Sequence, residues 1–178
     1  MDFFRKMKGS TQSPPAPGLT EIAWSWLGAF LGIGAVSLLH YRFFSANDLV
    51  MLIGSFGASA VLIYGAIKSP LAQPRNLLGG HVLSASVGVF FCQLLPDQLW
   101  LAAPLAVATA IAVMHVSKTL HPPGGASALI AVIGSDRIHA LGYFYVLVPV
   151  ALGAGIMLAV ALIVNNLPKT RRYPEFWL

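Results

Sequence analysis

The placement of charge constrains this chain more than any other feature. Asp, Glu, Lys and Arg are gathered into short clusters, and six stretches contain none of them: Ile22 to Tyr41, Leu49 to Ile67, Asn76 to Pro96, Gln98 to Ser117, Thr119 to Ser135 and Ile138 to Pro168. A helix that crosses the hydrocarbon core of a bilayer needs about 20 apolar residues at about 1.5 Å each. The first, third, fourth and sixth stretches meet that requirement. With 57% hydrophobic and 10% charged residues, the chain is too apolar for a soluble domain of this size. It reads as an all-α polytopic membrane protein whose solvent is the lipid bilayer, with no nucleic-acid partner expected. About six membrane elements follow: four regular helices and two broken or half-helix segments.

The second and fifth stretches are the broken ones. The second carries Gly54-Ser55-Phe56-Gly57 at its centre, and the fifth opens on His121-Pro122-Pro123-Gly124-Gly125. Proline has no backbone N–H and disfavours helical geometry in the residue before it, so no helix runs through His121 to Pro123. A new helix can start there, because proline suits the first turn. Both segments also contain the word Gly-Ala-Ser-Ala, at 57–60 and again at 125–128. If that word marks a duplication, three crossing elements per half make the second half upside down. The expected plan is then an inverted 3+3 repeat, in which paired broken helices mark a midplane binding site.

Lys and Arg placement sets orientation. With six crossings, Arg5, Lys6, Lys8, Lys68, Arg75, Lys118, Lys169, Arg171 and Arg172 fall on one side, and only Arg42 and Arg137 on the other. If the two broken segments re-enter instead, the two sides become nearly even. The six-crossing topology, with both termini cytosolic, is therefore expected. Residues 1–19 read as a basic, then Pro-rich tail without the pattern of a cleaved signal peptide. Residues 20–165 form the transmembrane domain. Residues 166–178 form a second basic tail, with Tyr173 and Trp177 as interface anchors.

The chemistry expected at the breaks is anion binding. The early N–H groups of a helix starting at Pro122 lack intrahelical partners, its N-terminus carries partial positive charge, and glycine admits a ligand close to the backbone. Gly124, Gly125 and Ala126 would supply N–H donors and Ser127 a hydroxyl. Ser55, Gly57 and Ser59 would do the same from the first repeat, so that two half-helix N-termini oppose each other near mid-membrane. His121, with Lys118 or His81, would tune charge and protonation. The structural alternative is that glycine here only permits close helix packing, that Lys118 reaches the interface, and that the histidines pack.

No embedded carboxylate is available as a cation ligand or proton relay, which argues against a cation pump or channel. Neither HxxxH nor HExxH occurs and Cys92 is the single cysteine, so no metal centre or cofactor is expected. No set of nucleophile, base and orienter points to an enzyme.

At His121-Pro122-Pro123-Gly124-Gly125-Ala126 the chain resembles the HPP family of integral membrane proteins, over residues 20 to 165. The resemblance implies nitrite transport, the activity associated with cyanobacterial and chloroplast members, and a family description of four transmembrane helices. It resembles the short members made of the membrane domain alone, and the resemblance implies a bacterial plasma-membrane protein. The resulting expectation is a small-anion transporter, with nitrite foremost and homo-oligomers expected. Its alternative is a non-transporting scaffold or sensor in which HPPGG is a structural turn.

Overall fold

A computed structural model describes residues 2–8, 11–44 and 50–178; Leu49, where the second stretch begins, lies outside them. Helix α1 (Leu19–Leu39) continues through a wide turn to Phe44. The short α2 (Ser55–Ala60) continues through the wide-turned segment Val61–Gly65. Next come α3 (Pro74–Leu94), α4 (Leu99–Val116), α5 (Pro122–Ile133) and the small α6 (Asp136–Leu141). The last helix, α7 (Leu152–Val164), is entered through Val146–Ala151. Among the described residues four helices are long and apolar enough to cross a membrane: Leu19–Phe44, Pro74–Leu94, Leu99–Val116 and Val146–Val164. Ser55–Gly65 and Pro122–Ile133 are shorter apolar helices.

Neighbouring residues fix the direction of each element. α3 and α4 are an antiparallel pair, with Phe91 and Leu95 packed near Ala102 and Ala103 at one end and Gly80 near Met114 at the other. α5 runs parallel to α3, since Gly80 faces His121 and Gly88 faces Ala128 and Ala131. α2 runs antiparallel to α5, with Ser55 bonded to Ser127 and Ser59 to His121. The far end of α1 holds the start of the second segment, where Met51 N donates to His40 Nδ1 at 3.3 Å. α7 runs alongside α2, from Gly153 at Phe56 to Asn165, whose Nδ2 donates to Ile63 O at 2.8 Å. Successive elements therefore reverse direction, and both short helices pass from one end of the bundle toward the other.

Two expectations need correction. The sixth stretch is not one helix: α6 ends at Gly142, which takes φ +50, a backbone that only glycine adopts at little cost. The chain kinks again at Val148, whose φ −133 and ψ 116 are not helical, before α7. Tyr173 is not an interface anchor, because it is 2% exposed. Its hydroxyl donates to Ala72 O at 2.6 Å, and burial pushes the phenol well above its ordinary range, which keeps it a donor. Trp177 is exposed.

The tail holding Tyr173 is clamped by Arg171, which is 6% exposed. Its Nε pairs with Glu21 at 3.0 Å, Nη1 donates to Asn165 Oδ1 at 3.2 Å, and Nη2 donates to Tyr64 O at 2.8 Å and Ser25 Oγ at 3.1 Å. One guanidinium thus ties the start of α1, the end of the second segment and the exit of α7. Its fan of five donors suits this many-sided role better than an ammonium would.

The exposed face of α1 carries Trp26 stacked on Phe30, with ring centroids 5.3 Å apart, as expected for a lipid-facing surface. Its buried stripe is Gly28, Gly32 and Val36. Tyr64 lies across both glycines, and its hydroxyl donates to Met157 O at 2.9 Å. A Cβ at Gly32 would sit 2.5 Å from Tyr64 Cζ, whereas none of the neighbours of Gly34 lies within 4 Å. Gly32→Ala should therefore cost about 1–3 kcal/mol by overpacking, and Gly34→Ala should be near neutral. Thermal unfolding of the two variants in detergent, followed by tryptophan fluorescence, checks the contrast.

Candidate functional site

The site begins with the start of α5. His121 is the N-cap residue, in extended conformation, and Pro122 and Pro123 occupy the first two helical positions. Those two positions therefore have no N–H to offer. The third, Gly124 N, donates to His121 O at 2.8 Å. From Gly125 onward the ordinary i→i−4 partners exist. The expected cradle of free backbone donors does not form, because the prolines that start the helix also remove its donors. Nor do the two N-termini oppose each other. Ser55, the first residue of α2, lies beside Ser127 in the middle of α5, and His121 lies beside Ser59 near the end of α2. The short helices pack side by side and antiparallel.

What they enclose is a chain of polar side chains. His121 Nδ1 donates to Leu71 O at 2.7 Å. His121 Nε2 and Ser59 Oγ are 2.9 Å apart, and Ser59 Oγ and His81 Nε2 are 2.7 Å apart. His81 Nδ1 lies 2.7 Å from Ser127 Oγ, which donates to Ser55 Oγ at 2.9 Å. All five side chains are 0–1% exposed. The serine of each Gly-Ala-Ser-Ala word thus contacts one nitrogen of the same imidazole, His81. Phe56 meets that ring edge-on, with centroids 5.7 Å apart, and the His81 and His121 rings lie 5.0 Å apart. Tyr145 OH donates to Ser127 O at 3.1 Å, tying in the entry to the last helix.

Glycine makes this approach possible. A Cβ at Gly124 would stand 2.6 Å from Gly80 O and 2.9 Å from Ser84 Oγ, and one at Gly80 would meet Thr119 O at 2.8 Å. At Gly125 the nearest atom to such a Cβ is 4.0 Å away, and at Gly57 none lies within 4 Å. Gly124 is therefore required by packing, whereas Gly125 and Gly57 have room. Gly125 is buried, Ala126 is half-buried, and Gly57 and Pro122 are exposed. Pro123 is buried against the second segment's side of α5.

Lys118 is exposed and away from the chain of side chains. Its φ of +56 closes α4, with Lys118 N donating to His115 O and Thr119 N to Met114 O. Of the residues singled out in the sequence, the fold brings together His81, His121, Ser55, Ser59 and Ser127.

Three participants had no signal of their own. Leu71 contributes a backbone carbonyl, Tyr145 comes from a remote segment, and Asn76, whose Nδ2 donates to Leu120 O at 2.8 Å, steadies the turn before the break. The pair Gly79-Gly80 directly before His81 was visible, mirroring the glycine pair that follows His121. Ser84, one turn beyond His81 and fully buried, has an Oγ without a hydrogen-bond partner.

A bundle of alternating apolar helices built round buried polar side chains defines a multi-pass helical membrane protein. The chain belongs to the HPP family, whose transmembrane region matches residues 14–174. It is similar to two transmembrane proteins of Dictyostelium discoideum. One is 50% identical over 180 residues, covering 99% of this chain and 58% of the relative. The other is 46% identical over 182 residues, covering 99% of this chain and 64% of the relative. The chain thus spans less than two thirds of the length of either. No solved structure matches it.

Replacing Ser59 removes the hydroxyl shared by both imidazoles. Ser59→Ala should cost about 1–3 kcal/mol, the penalty for buried groups left unpaired. Gly124→Ala should cost a similar amount through overpacking, while Gly125→Ala should change little. Detergent melting curves of the three variants rank them.

Proposed function

We propose that the protein is a small-anion transporter, with nitrite as the first cargo to test, and that the Ser59, His81, His121 and Ser127 cluster is its mid-membrane site. The observation that carries the reading is this buried run of hydroxyl and imidazole groups in the middle of an apolar bundle. Polar and ionisable groups inside a membrane are costly and mark pathways. Neutral imidazole and hydroxyl groups present N–H and O–H donors, the groups an anion needs, without a carboxylate to repel it. The unpartnered Ser84 Oγ beside Gly124 adds a donor one turn from His81.

The approach to the site is also suited to anions. A cavity of about 800 Å³ at the end of the bundle holding both termini is lined in part by Lys68, Ser69 and Arg171. It borders the loop whose Leu71 carbonyl accepts from His121. In this reading that end faces the cytosol, following the excess of Lys and Arg on its side. The halves α1–α3 and α4, α5 with α7 form an inverted pair. The alternating directions and the convergence of Ser59 and Ser127 on His81 support that duplication. Nitrite itself rests on the family resemblance.

A second reading, a scaffold or sensor, draws on the close approach of Gly80 and Gly124, which gives the glycine a packing role without any ligand. Uptake into proteoliposomes separates the two. Saturable nitrite flux should exceed that of protein-free vesicles, fall at least tenfold in Ser59→Ala and stay within about twofold in Lys118→Gly. The absence of flux for nitrite, nitrate and formate at both pH 6 and pH 8 would sink the transporter reading.

A further inference from the structure

The buried side chains can be counted proton by proton. Five contacts link Leu71 O, His121, Ser59, His81, Ser127 and Ser55 in one unbranched line. Each contact needs one proton. The five side chains, all neutral, hold five: one on each imidazole and one on each hydroxyl. The neutral count closes in a single arrangement. Leu71 O can only accept, so His121 donates to it, Ser59 donates to His121, His81 donates to Ser59, Ser127 donates to His81, and Ser55 must donate to Ser127.

The same line accommodates a sixth proton by turning the last contact round, so that Ser127 Oγ donates to Ser55 Oγ, 2.9 Å away. His81 Nδ1 then donates to Ser127, and the remaining contacts close with the sixth proton. Its place is defined. Either His81 carries both N–H groups and Ser59 donates to His121, or His121 carries both and Ser59 donates to His81. The two forms interconvert by a shift of protons across the Ser59 hydroxyl, which is within 2.9 Å of both nitrogens.

We infer that this chain is a proton-accepting relay whose positive charge is neutralised by the transported anion, so that the cargo class is the conjugate base of a weak acid moving together with one proton. The inference rests on the transporter reading and names its coupling. Among the described residues, no carboxylate, lysine or arginine is hydrogen-bonded to any member of the chain. Phe56 meets the His81 ring edge-on, and the titratable Tyr145 donates to Ser127 O. A buried imidazolium without a counter-ion is costly. The sixth proton is therefore held when an anion sits beside it and is released when the anion leaves. In release, Ser55 turns to donate to Ser127 and the line returns to its neutral order; one proton enters, one leaves, and no other bond changes.

The test uses the full chain in proteoliposomes with a trapped pH dye and a voltage set by potassium and valinomycin, with protein-free vesicles subtracted for leak of nitrous acid. One proton should enter per nitrite, and the flux should not vary with voltage. His121→Asn keeps an amide donor near the Nδ1 position for Leu71 O but cannot pass a proton to Ser59. It should lose coupled flux at least tenfold while remaining monodisperse. Nitrite flux that follows voltage without proton entry overturns the coupling and leaves the transporter reading intact.

If the wild type moves no nitrite, the transporter reading fails, and ¹⁵N spectra of ring-labelled protein decide the relay. Added nitrite at fixed pH should shift the His81 and His121 nitrogens toward the doubly protonated form, the signals being assigned with His81→Gln and His121→Asn. Ring nitrogens that stay one protonated and one bare at saturating nitrite overturn it.

Discussion

The imidazole of His81 is the part on which the membrane core depends. A short helix in a bilayer leaves polar backbone ends that lipid cannot satisfy, and this protein has two such helices lying side by side. His81, from the uninterrupted α3, takes a serine from each of them, one on either nitrogen. The long helix thereby sets the depth of both short ones. Because imidazole has one donor and one acceptor when neutral, the two serines cannot be equivalent. The arrangement has polarity along its length even where the two halves of the chain look alike.

The break at Pro122-Pro123 answers a different need from the one its composition first indicates. A helix N-terminus is ordinarily an anion site because its first N–H groups are free. Here proline removes two of them and the His121 carbonyl takes the next. The result places His121 at the tip of α5 without exposing unsatisfied backbone to lipid. The glycines that follow then let this tip press against Gly80. The polar groups gathered at the break are therefore side chains, which can change protonation where amides cannot.

Closure at the termini is electrostatic and separate from this core. Arg171 brings a positive charge into the bundle end, where it lies against one carboxylate and donates to two side-chain oxygens and a carbonyl. A buried charge is tolerated only when it is paired in this way. The Tyr173 hydroxyl on Ala72 O and the Gln73 Oε1 that accepts from Glu175 N hold the tail over the loop whose Leu71 carbonyl accepts from His121. The segment that looks like a loose basic tail is part of the structure that shapes the cavity.

Much of the fold was legible in the pattern of charge and hydropathy. Long runs without charge can only be spans, and Pro122-Pro123 can only start a helix, so the spans, the break and the reversal of successive elements follow from local rules. The site was half legible. Ser59 and Ser127 stood out through a repeated word and His81 through its place inside a span, but nothing in their spacing says that they meet. Leu71 and Tyr145 carried no signal, since a carbonyl is common to every residue and a tyrosine near a helix start is ordinary. By itself, then, the sequence determined an all-helical membrane protein with two interrupted elements, because lipid permits few backbones. Only the tertiary structure decided that the two short helices lie antiparallel, that their serines share one imidazole, that Lys118 stands apart and that Arg171 is buried. Those outcomes depend on which helix faces pack together, and side-chain contacts across 22 to 146 residues are set by that packing and by no local rule.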